Sequence, residues 1–446
     1  MRLEVHLPSG EGCSFDVSAA TLVRELKAAV QQHFQRRLKL TAEGRQLDVA
    51  ATVSEAGLRH GDAVTAVAQL GILAATNTAF AFQGKGDELM TWGDPGHGGD
   101  SSQVQDQLRS VQHVQATVGA FAAILENGAV VTWGDPGDGG DSSYVQEQLR
   151  NVHYIQATRR AFAAILESGA VVTWGNPRFG GDSSQVQDQL RNVQHIQATI
   201  GAFAAILESG AVVTWGQHRY GGDSSLVQQQ LRNVKYIQAT DGTFAAILES
   251  GAVVTWGDPK LGGDNSHAQE QLRNVQHIQA TDGAFAAIFE CGAVVTWGDP
   301  ESGGDSSQVQ EQLRNVQHIQ ATANGAFAAI LESGAVVTWG NPRFGGDSSQ
   351  VQEQLRNVQH IQATDGAFAA ILECGTVVTW GDPESGGDSS QVQEQLRNVQ
   401  HVQATAGAVA AILESAAVVT WGDPEDGGDS SQVQEQLRNV RHIQPT

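Results

Sequence analysis

The chain is poor in cysteine and contains no long apolar run. Its 446 residues include three cysteines, Cys13, Cys291 and Cys374, which are too few for a disulfide framework, so we expect reduced thiols. No apolar run approaches the roughly 20 residues that a membrane-spanning helix needs. The start, Met1 to His6, alternates like a strand and does not resemble a secretion signal. These absences predict a cytoplasmic or nuclear protein that does not insert into membranes.

Basic residues are also scarce, with 26 Lys and Arg against 49 Asp and Glu. Residues 1–70 contain eight of each sign, so the whole formal charge of −23 lies in residues 71–446. Affinity for a phosphate backbone comes from Lys and Arg. The charge therefore argues against a nucleic-acid partner.

Motifs that carry catalysis are missing too. The sequence has no nucleophile placed beside a base, no Gly-rich phosphate loop and no Cys/His spacing typical of a metal site. We therefore predict a protein that is not an enzyme, with no catalytic, cofactor-binding or metal-binding residues.

What the chain does contain is an internal repeat marked by tryptophan. Each tryptophan ends a version of the phrase Ala293-Val294-Val295-Thr296-Trp297-Gly298, and the spacing is 41 residues with a single step of 42. Such a period indicates one supersecondary unit copied many times. The nine tryptophans, which we expect to form a structural ring, are Trp92, Trp133, Trp174, Trp215, Trp256, Trp297, Trp339, Trp380 and Trp421.

One copy, residues 315–356, shows the anatomy of the unit. Residues 315–322, 326–331 and 335–340 read as three antiparallel strands separated by tight turns. The extra residue of the 42-residue step lies in the turn at 323–325. The connector, 341–356, predicts a short helix because Val351 and Leu355 are four residues apart, with an irregular outer strand as the alternative.

A three-stranded meander cannot bury both of its faces alone, so the units must stack. We predict a mainly β fold over residues 71–446: a closed β-propeller of about nine blades, sealed by the spare strand at 439–446. An open superhelix of nine units would show the same period.

Residues 1–70 lack the period and predict a separate α+β domain. Leu3, Val5 and Leu7 alternate, a turn follows at 8–12, and Phe15 and Val17 continue on a return strand. From residue 21 the apolar positions 22, 26, 29, 30 and 34 follow helical spacing, which leaves Arg24, Glu25 and Lys27 exposed to solvent. No linker of Gly, Ser or Pro separates this domain from the repeats.

Residues 37–47, Arg-Leu-Lys-Leu-Thr-Ala-Glu-Gly-Arg-Gln-Leu, together with 52–53 and 58–64, resemble the ubiquitin-like β-grasp family. The resemblance implies a docking module for residues 1–70. The Gly-Gly end of conjugated members is absent, and Lys39 lies where the family often exposes an apolar recognition residue.

The repeat resembles that of the regulator-of-chromosome-condensation family. The similar residues are Val316 and Ile319, the pair Ala328-Ala329, Gly334 and Trp339-Gly340. The resemblance implies propeller blades and protein partners for residues 71–446. The units are shorter than the family's usual blades and carry no long insertion.

Differences between copies predict a partner surface in the second to fourth units. Aromatic and arginine side chains, which are favoured as interface anchors, replace the common residues there; drift between copies is the alternative. The candidates are Tyr144, Arg159, Arg160, Arg178, Phe179, His218, Arg219 and Tyr220.

Two further sets recur in every unit or nearly so, and both are predicted to be structural. A histidine, or tyrosine at 154 and 236, recurs once per unit on the first strand, which spreads the rings too widely for one metal ion. Aspartates recur just after Trp-Gly, as at Asp299, and after the Gly pair, as at Asp347; the second set is expected to cap the following helix, with calcium binding as the alternative.

The leading functional hypothesis is a non-enzymatic scaffold or adaptor for protein partners, which the ubiquitin-like resemblance connects with the ubiquitin pathway. One alternative is a multivalent lectin with a sugar held by each Trp-Gly-Asp-Pro loop. Another, implied by the repeat resemblance, is a propeller that serves guanine-nucleotide exchange or a ubiquitin ligase.

Overall fold

A computed structural model describes residues 1–431 apart from 8–11, 35–37, 43–44, 48, 50, 69–71 and 84–87. The chain divides into two compact units. The first comprises Met1–Glu167 with Trp174–Asn176, and the second Ser168–Thr173 with the described chain from Pro177 onwards. Within these described ranges, no helix is long and apolar enough to cross a membrane.

The N-terminal part folds as one helix on a five-stranded mixed sheet, as the α+β prediction requires. The sheet has the order β2-β1-β5-β3-β4, with β1 parallel to β5 and the other pairs antiparallel. Its core includes Leu3, Val5, Leu26 and Val64. The elements are β1 Arg2–His6, β2 Gly12–Asp16, α1 Val23–Phe34, β3 Leu38–Ala42, β4 Arg45–Gln46 and β5 Ala63–Ala68.

The sequence pattern placed two helix positions wrongly. Ala29, expected in the buried stripe, is exposed. Lys27, expected in solvent, is buried because its ammonium group pairs with a carboxylate of the repeats. The predicted turn at 8–12 lies mostly outside the described residues, although the hairpin of β1 and β2 that it joins is present.

The described repeats form nine three-stranded antiparallel sheets, numbered here 1 to 9 in chain order, which confirms the mainly β prediction. The first strands are β6 Ile72–Ala75, β9 Val111–Ala116, β12 Val152–Ala157, β15 Val193–Ala198, β18 Val234–Ala239, β21 Val275–Ala280, β24 Val316–Ala321, β27 Val358–Ala363 and β30 Val399–Ala404. The second strands are β7 Ala79–Gln83, β10 Ala120–Leu125, β13 Ala161–Leu166, β16 Ala202–Leu207, β19 Thr243–Leu248, β22 Ala284–Phe289, β25 Ala326–Leu331, β28 Ala367–Leu372 and β31 Ala408–Leu413. The third strands are β8 Met90–Gly93, β11 Val130–Gly134, β14 Val171–Gly175, β17 Val212–Gly216, β20 Val253–Gly257, β23 Val294–Gly298, β26 Val336–Gly340, β29 Val377–Gly381 and β32 Val418–Gly422.

Local sequence explains the turns on either side of the first strand, as β24 shows. Asn315, before β24, has a φ of +55°, a left-handed conformation that asparagine tolerates better than most residues, and the equivalent position is asparagine in seven copies. The turn after β24 carries the additional residue of the 42-residue step, so the Thr322 hydroxyl donates to the carbonyl of Ala326, four residues on, where other copies span three. The predicted insertion point is confirmed.

The second strand is the centre of each sheet and is buried on both faces. In β25 one face, Phe327 and Ala329, packs with Trp339 against sheet 6, while Ala326, Ala328 and Ile330 pack against sheet 8. Small residues allow the neighbouring sheets to approach. The packed core is therefore continuous from one sheet to the next along the second unit.

Where the structure describes them, up to residue 431, the connectors are turns and 3-10 helices, and neither the α-helix nor the outer strand forms. At 349–354 the chain makes one turn, in which the N–H of Leu355 is shared between the carbonyls of Val351 and Gln352 at 3.3 Å. One turn is too short to propagate a helix. The 3-10 helices are Pro95–His97, Gln105–Gln107, Pro136–Asp138, Pro177–Phe179, Gln187–Gln189, His218–Tyr220, Pro259–Leu261, Pro300–Ser302, Pro342–Phe344 and Pro383–Ser385. The strand at 439–446, expected to seal a ring, lies outside the described residues.

Candidate functional site

Eight of the nine tryptophans occupy equivalent buried slots, each at most 5% exposed. Each indole Nε1 donates to the carbonyl of a glycine in the preceding connector, at 2.9–3.2 Å, as from Trp339 to Gly303. A phenylalanine of the same sheet stacks on the indole in seven of these slots, with ring centroids 5.1–5.2 Å apart. Burying such an indole contributes about 5 kcal/mol before the entropy of ordering is subtracted.

Trp92, in sheet 1, is the exception. Its side chain is 47% exposed although it stacks on Phe80 as the others stack on their phenylalanines, with centroids 5.4 Å apart. The neighbouring Met90 is 54% exposed. Of the tryptophans predicted to form a structural ring, Trp92 alone therefore presents an apolar face to solvent.

The aspartates after the Gly pair all act as local caps, and so do those just after Trp-Gly apart from Asp382. After the Gly pair, each carboxylate accepts from the backbone N–H two residues on, at 2.8–3.0 Å in all nine copies, as Asp347 does from Ser349. This hydrogen bond lowers the pKa of Asp347. Just after Trp-Gly, Asp299 accepts similarly from the N–H of Glu301. The capping hydrogen bond predicted for the second set is present, but it closes a turn, because the helix predicted after it does not form.

Polar side chains behind each cap join the connector to the third strand. In sheet 7 the hydroxyls of Thr338 and Ser348 are 2.9 Å apart, Ser348 donates to Oε1 of Gln352, and Nε2 of Gln352 donates to the carbonyl of Val336. The recurring serines are thus committed to structure. Among the described residues, no group of three or more His, Cys, Asp or Glu side chains is placed to hold a metal ion.

The recurring histidines lie in a row on the first strands, where His195 is half-buried and the other described members are exposed. His113 stacks on Tyr154 of the next sheet, with centroids 6.4 Å apart. Burial, and secondarily the neighbouring His318, lowers the pKa of His360. The row packs as the sequence predicts for a strand surface.

A more informative surface lies at the turns between first and second strands, which we call the turn face. There the residue after the threonine links successive sheets by backbone hydrogen bonds: Asn77 N–H donates to Val118, and Val118 to Arg159. In the second unit the same ladder runs through Ile200, Asp241, Asp282, Ala323, Asn324, Asp365 and Ala406 at 2.8–2.9 Å. A rigid backbone therefore presents a variable side chain from every sheet.

In the second unit this face is acidic. Burial raises the pKa of Asp282, whose Oδ1 has no hydrogen-bond partner among the described residues, and burial together with nearby Asp426 raises the pKa of Asp365. Carboxylates with raised pKa values gain from a cation that neutralises them.

Two arginines predicted as partner anchors are paired within the protein. Nε of Arg160 lies 2.6 Å from Asp138, and Nε of Arg219 lies 2.8 Å from Asp258, each carboxylate being almost fully buried. Burial alone would raise the pKa of Asp258, but hydrogen bonds from Arg219 and from the Lys260 N–H outweigh it and lower the pKa. These arginines join neighbouring sheets, while about half of each side chain or more stays exposed.

The other predicted anchors lie at the surface. Tyr144 is 63% exposed, and its hydroxyl accepts from the N–H of Gly175. Arg159, Arg178 and His218 are exposed, and Phe179 and Tyr220 are half-buried. The first three named candidates, Tyr144, Arg159 and Arg160, belong to the first unit and the remaining five to the second.

An ion pair that sequence reasoning missed joins α1 to sheet 2. Nζ of Lys27 lies 2.7 Å from Oε2 of Glu126, and the two side chains are 7% and 6% exposed. Seven other copies have glutamate at the position of Glu126, and two of these residues, Glu208 and Glu332, are exposed. Only the next residue, Asn127 in place of serine, distinguishes this copy, and that signal is too weak to find the contact.

Comparison with known proteins finds no matching family model and no matching curated protein. Among solved structures, the receptor kinase CR4 ectodomain of Physcomitrella patens is similar at 16% identity and a TM-score of 0.35, over 61% of this chain and 72% of that chain. Prp20p of Saccharomyces cerevisiae is similar at 14% identity and a TM-score of 0.34, over 61% and 84%. The designed protein Ika8 is similar at 12% identity and a TM-score of 0.31, over 70% and 96%. Likenesses this distant assign no function to the chain.

Proposed function

We propose that the chain is a non-enzymatic scaffold that binds protein partners through its turn face. The proposal rests on where the copies differ in sequence. The differences are concentrated at the positions whose backbone groups form the hydrogen-bond ladder. The buried second strand reads Ala-Phe-Ala-Ala-Ile-Leu in most copies, while the ladder position is asparagine, valine, arginine, isoleucine, aspartate or alanine. A constant frame with a variable exposed row is how repeat proteins build binding surfaces.

The chemistry of the second unit indicates the class of partner. Asp241 and Asp365 are exposed on its turn face, and the intervening Asp282 is half-buried. Complementary charge favours a basic protein segment, and the association should weaken with salt. The lectin alternative is less well supported, because in eight copies the indole of the Trp-Gly-Asp-Pro loop is buried and offers no face to a sugar.

The test reverses the charge of two residues of the turn face. Its control reverses two charges at the opposite ends of the sheets. Asp241→Lys/Asp365→Lys should abolish recovery of the partners that the unaltered chain purifies from a cell extract, as quantified by mass spectrometry. Glu208→Lys/Glu332→Lys changes the net charge equally, but at exposed turns between second and third strands. Equal losses with the two variants, or no loss with the first, would refute the turn face as the binding surface.

For the N-terminal domain we propose docking to ubiquitin receptors. The strand order and single helix support the ubiquitin-like resemblance. On the open face of its sheet, Val67 of β5 is 39% exposed and pairs with Lys39 of β3. Val67→Asp should abolish binding of a ubiquitin-receptor domain to the full chain in calorimetry. Absence of any binding by the unaltered chain would refute the ubiquitin role and leave the scaffold proposal standing.

A further inference from the structure

Every buried tryptophan follows one docking rule. The glycine that accepts the indole N–H has a positive φ, and its missing side chain leaves room for a side chain of the next sheet, which is a phenylalanine ring in seven contacts and Val409 in the eighth. A Cβ on Gly345 would lie 2.6 Å from the ring of Phe368, while Nε1 of Trp380 donates to the Gly345 carbonyl. A phenylalanine and a tryptophan on one side therefore recognise a glycine turn on the other.

Sheet 1 carries the aromatic half of this contact without its glycine. Phe80 and Trp92 are stacked with an interplanar angle of 15°, as in the buried pairs. We call Phe80, Met90 and Trp92 the Trp92 face. The indole N–H of Trp92 makes no hydrogen bond to any described residue, and both Met90 and Trp92 are about half exposed. Large apolar side chains grouped on a surface mark an interaction site.

The connector after sheet 9 carries the glycine half. Gly427 has a φ of +103°, against +104° at Gly345, and Asp423 caps its turn as Asn341 caps the turn of Gly345. We call residues 423–428 the Gly427 turn. Across the described part of the chain, no atom lies within 4 Å of a Cβ built on Gly427. At Gly386, one repeat earlier, Val409 fills that space at 3.2 Å.

We propose that the Trp92 face of one copy binds the Gly427 turn of a second copy. The occupant is a second copy because the chain itself supplies both halves of a contact that it makes eight times internally, always on a glycine of positive φ and seven times with the same stacked rings. The two surfaces differ, so the interface is heterologous and extends into chains of copies or closed rings. With a net charge of −23, copies repel each other, and salt should therefore strengthen the association.

Sedimentation velocity of the full chain tests the proposal, across roughly two decades of protein concentration at low and high salt. The mass of the unaltered chain should rise with concentration and with salt. Trp92→Ala and Gly427→Asn should each weaken association at least about tenfold. Asparagine tolerates the positive φ and fills the space over the turn, and thermal melting confirms that both variants fold.

Mixing these two variants with each other is the decisive experiment. Trp92→Ala retains a Gly427 turn and Gly427→Asn retains a Trp92 face, so the mixture should form dimers and stop there. Leu226→Gln, which alters an apolar side chain that is 98% exposed elsewhere, should associate like the unaltered chain. A chain that stays monomeric at every concentration would overturn the proposal. That result is expected if the two surfaces bind each other within one copy. So would undiminished association of Trp92→Ala, or a mixture that fails to pair.

Discussion

Replacing Lys27 with methionine tests whether the N-terminal domain is fixed to the repeats by a buried ion pair. The substitution keeps an unbranched apolar side chain of similar length but removes the ammonium group 2.7 Å from Oε2 of Glu126. The Glu126 carboxylate, 6% exposed, then loses its partner. The structure therefore predicts a loss much larger than that for a surface pair.

The magnitude follows from two opposing effects. At an effective dielectric constant of about 20, charges 2.7 Å apart attract by about 6 kcal/mol. Removing each ion from water costs several kcal/mol, so the intact pair contributes little net stability. Removing one partner leaves the other desolvated, and we expect Lys27→Met to cost about 3–5 kcal/mol. Replacing both, as Lys27→Met/Glu126→Leu, should recover most of that loss.

Hydrogen exchange of the amides in α1 is the appropriate assay, because a repeat array does not unfold in one global step. At 1.4 kcal/mol per factor of ten, protection should fall by about a hundredfold to a few thousandfold. Glu208→Gln, an exposed equivalent of Glu126 in sheet 4, should leave α1 unchanged. A fall of less than about fivefold with Lys27→Met would show that this pair behaves like an exposed one, and the reasoning would be wrong.

Three further predictions concern the repeats. Gly345→Ala should lower the free energy of unfolding in urea by about 2 kcal/mol or more, because its Cβ meets a ring at 2.6 Å. Gly427→Ala, at nearly the same φ, should lower it by about 1 kcal/mol. Equal losses would show that only φ matters. Asp347→Ala should cost about 0.5–2 kcal/mol in thermal denaturation, while Asp347→Asn, which can still accept the Ser349 N–H, should cost less. Burial lowers the pKa of His360 in the folded state. The contribution of neutral His360 to the free energy of unfolding is therefore complete above an unfolded pKa of about 6.5, and it is lost as the pH falls below that value. Urea midpoints at neutral and mildly acidic pH check this, and His360→Gln should flatten the dependence.

The repeat, its three strands and its turns could be predicted from the sequence because period and pattern are local. The spacing of tryptophan, the small-residue strand and the asparagine or glycine at all left-handed positions of the repeats but Ser110 and Ala416 agree with one another. The capping of Ser349 by Asp347 follows from the same short-range chemistry. Agreement between local signals is what makes a fold readable.

What could not be predicted depends on partners far apart in the chain. Helical spacing assigned Lys27 to solvent because nothing nearby in sequence indicates Glu126, 99 residues away. Arg219 is favoured at interfaces by composition, yet its ion pair with Asp258 appears only when two connectors meet. The connector at 349–354 has the spacing of a helix but too few residues to form one.

The indole–glycine contact has a consequence for how the chain folds. Since every tryptophan fits every glycine turn, the contact itself does not record which copy should follow which. The sequence separation between an indole and its glycine must therefore select the correct neighbour. Correct partners are 35 or 36 residues apart, and skipping one copy about doubles the loop between them. Doubling a loop costs only about 0.6 kcal/mol, an approximately threefold kinetic preference, so refolding from denaturant should transiently populate molecules in which one copy is looped out.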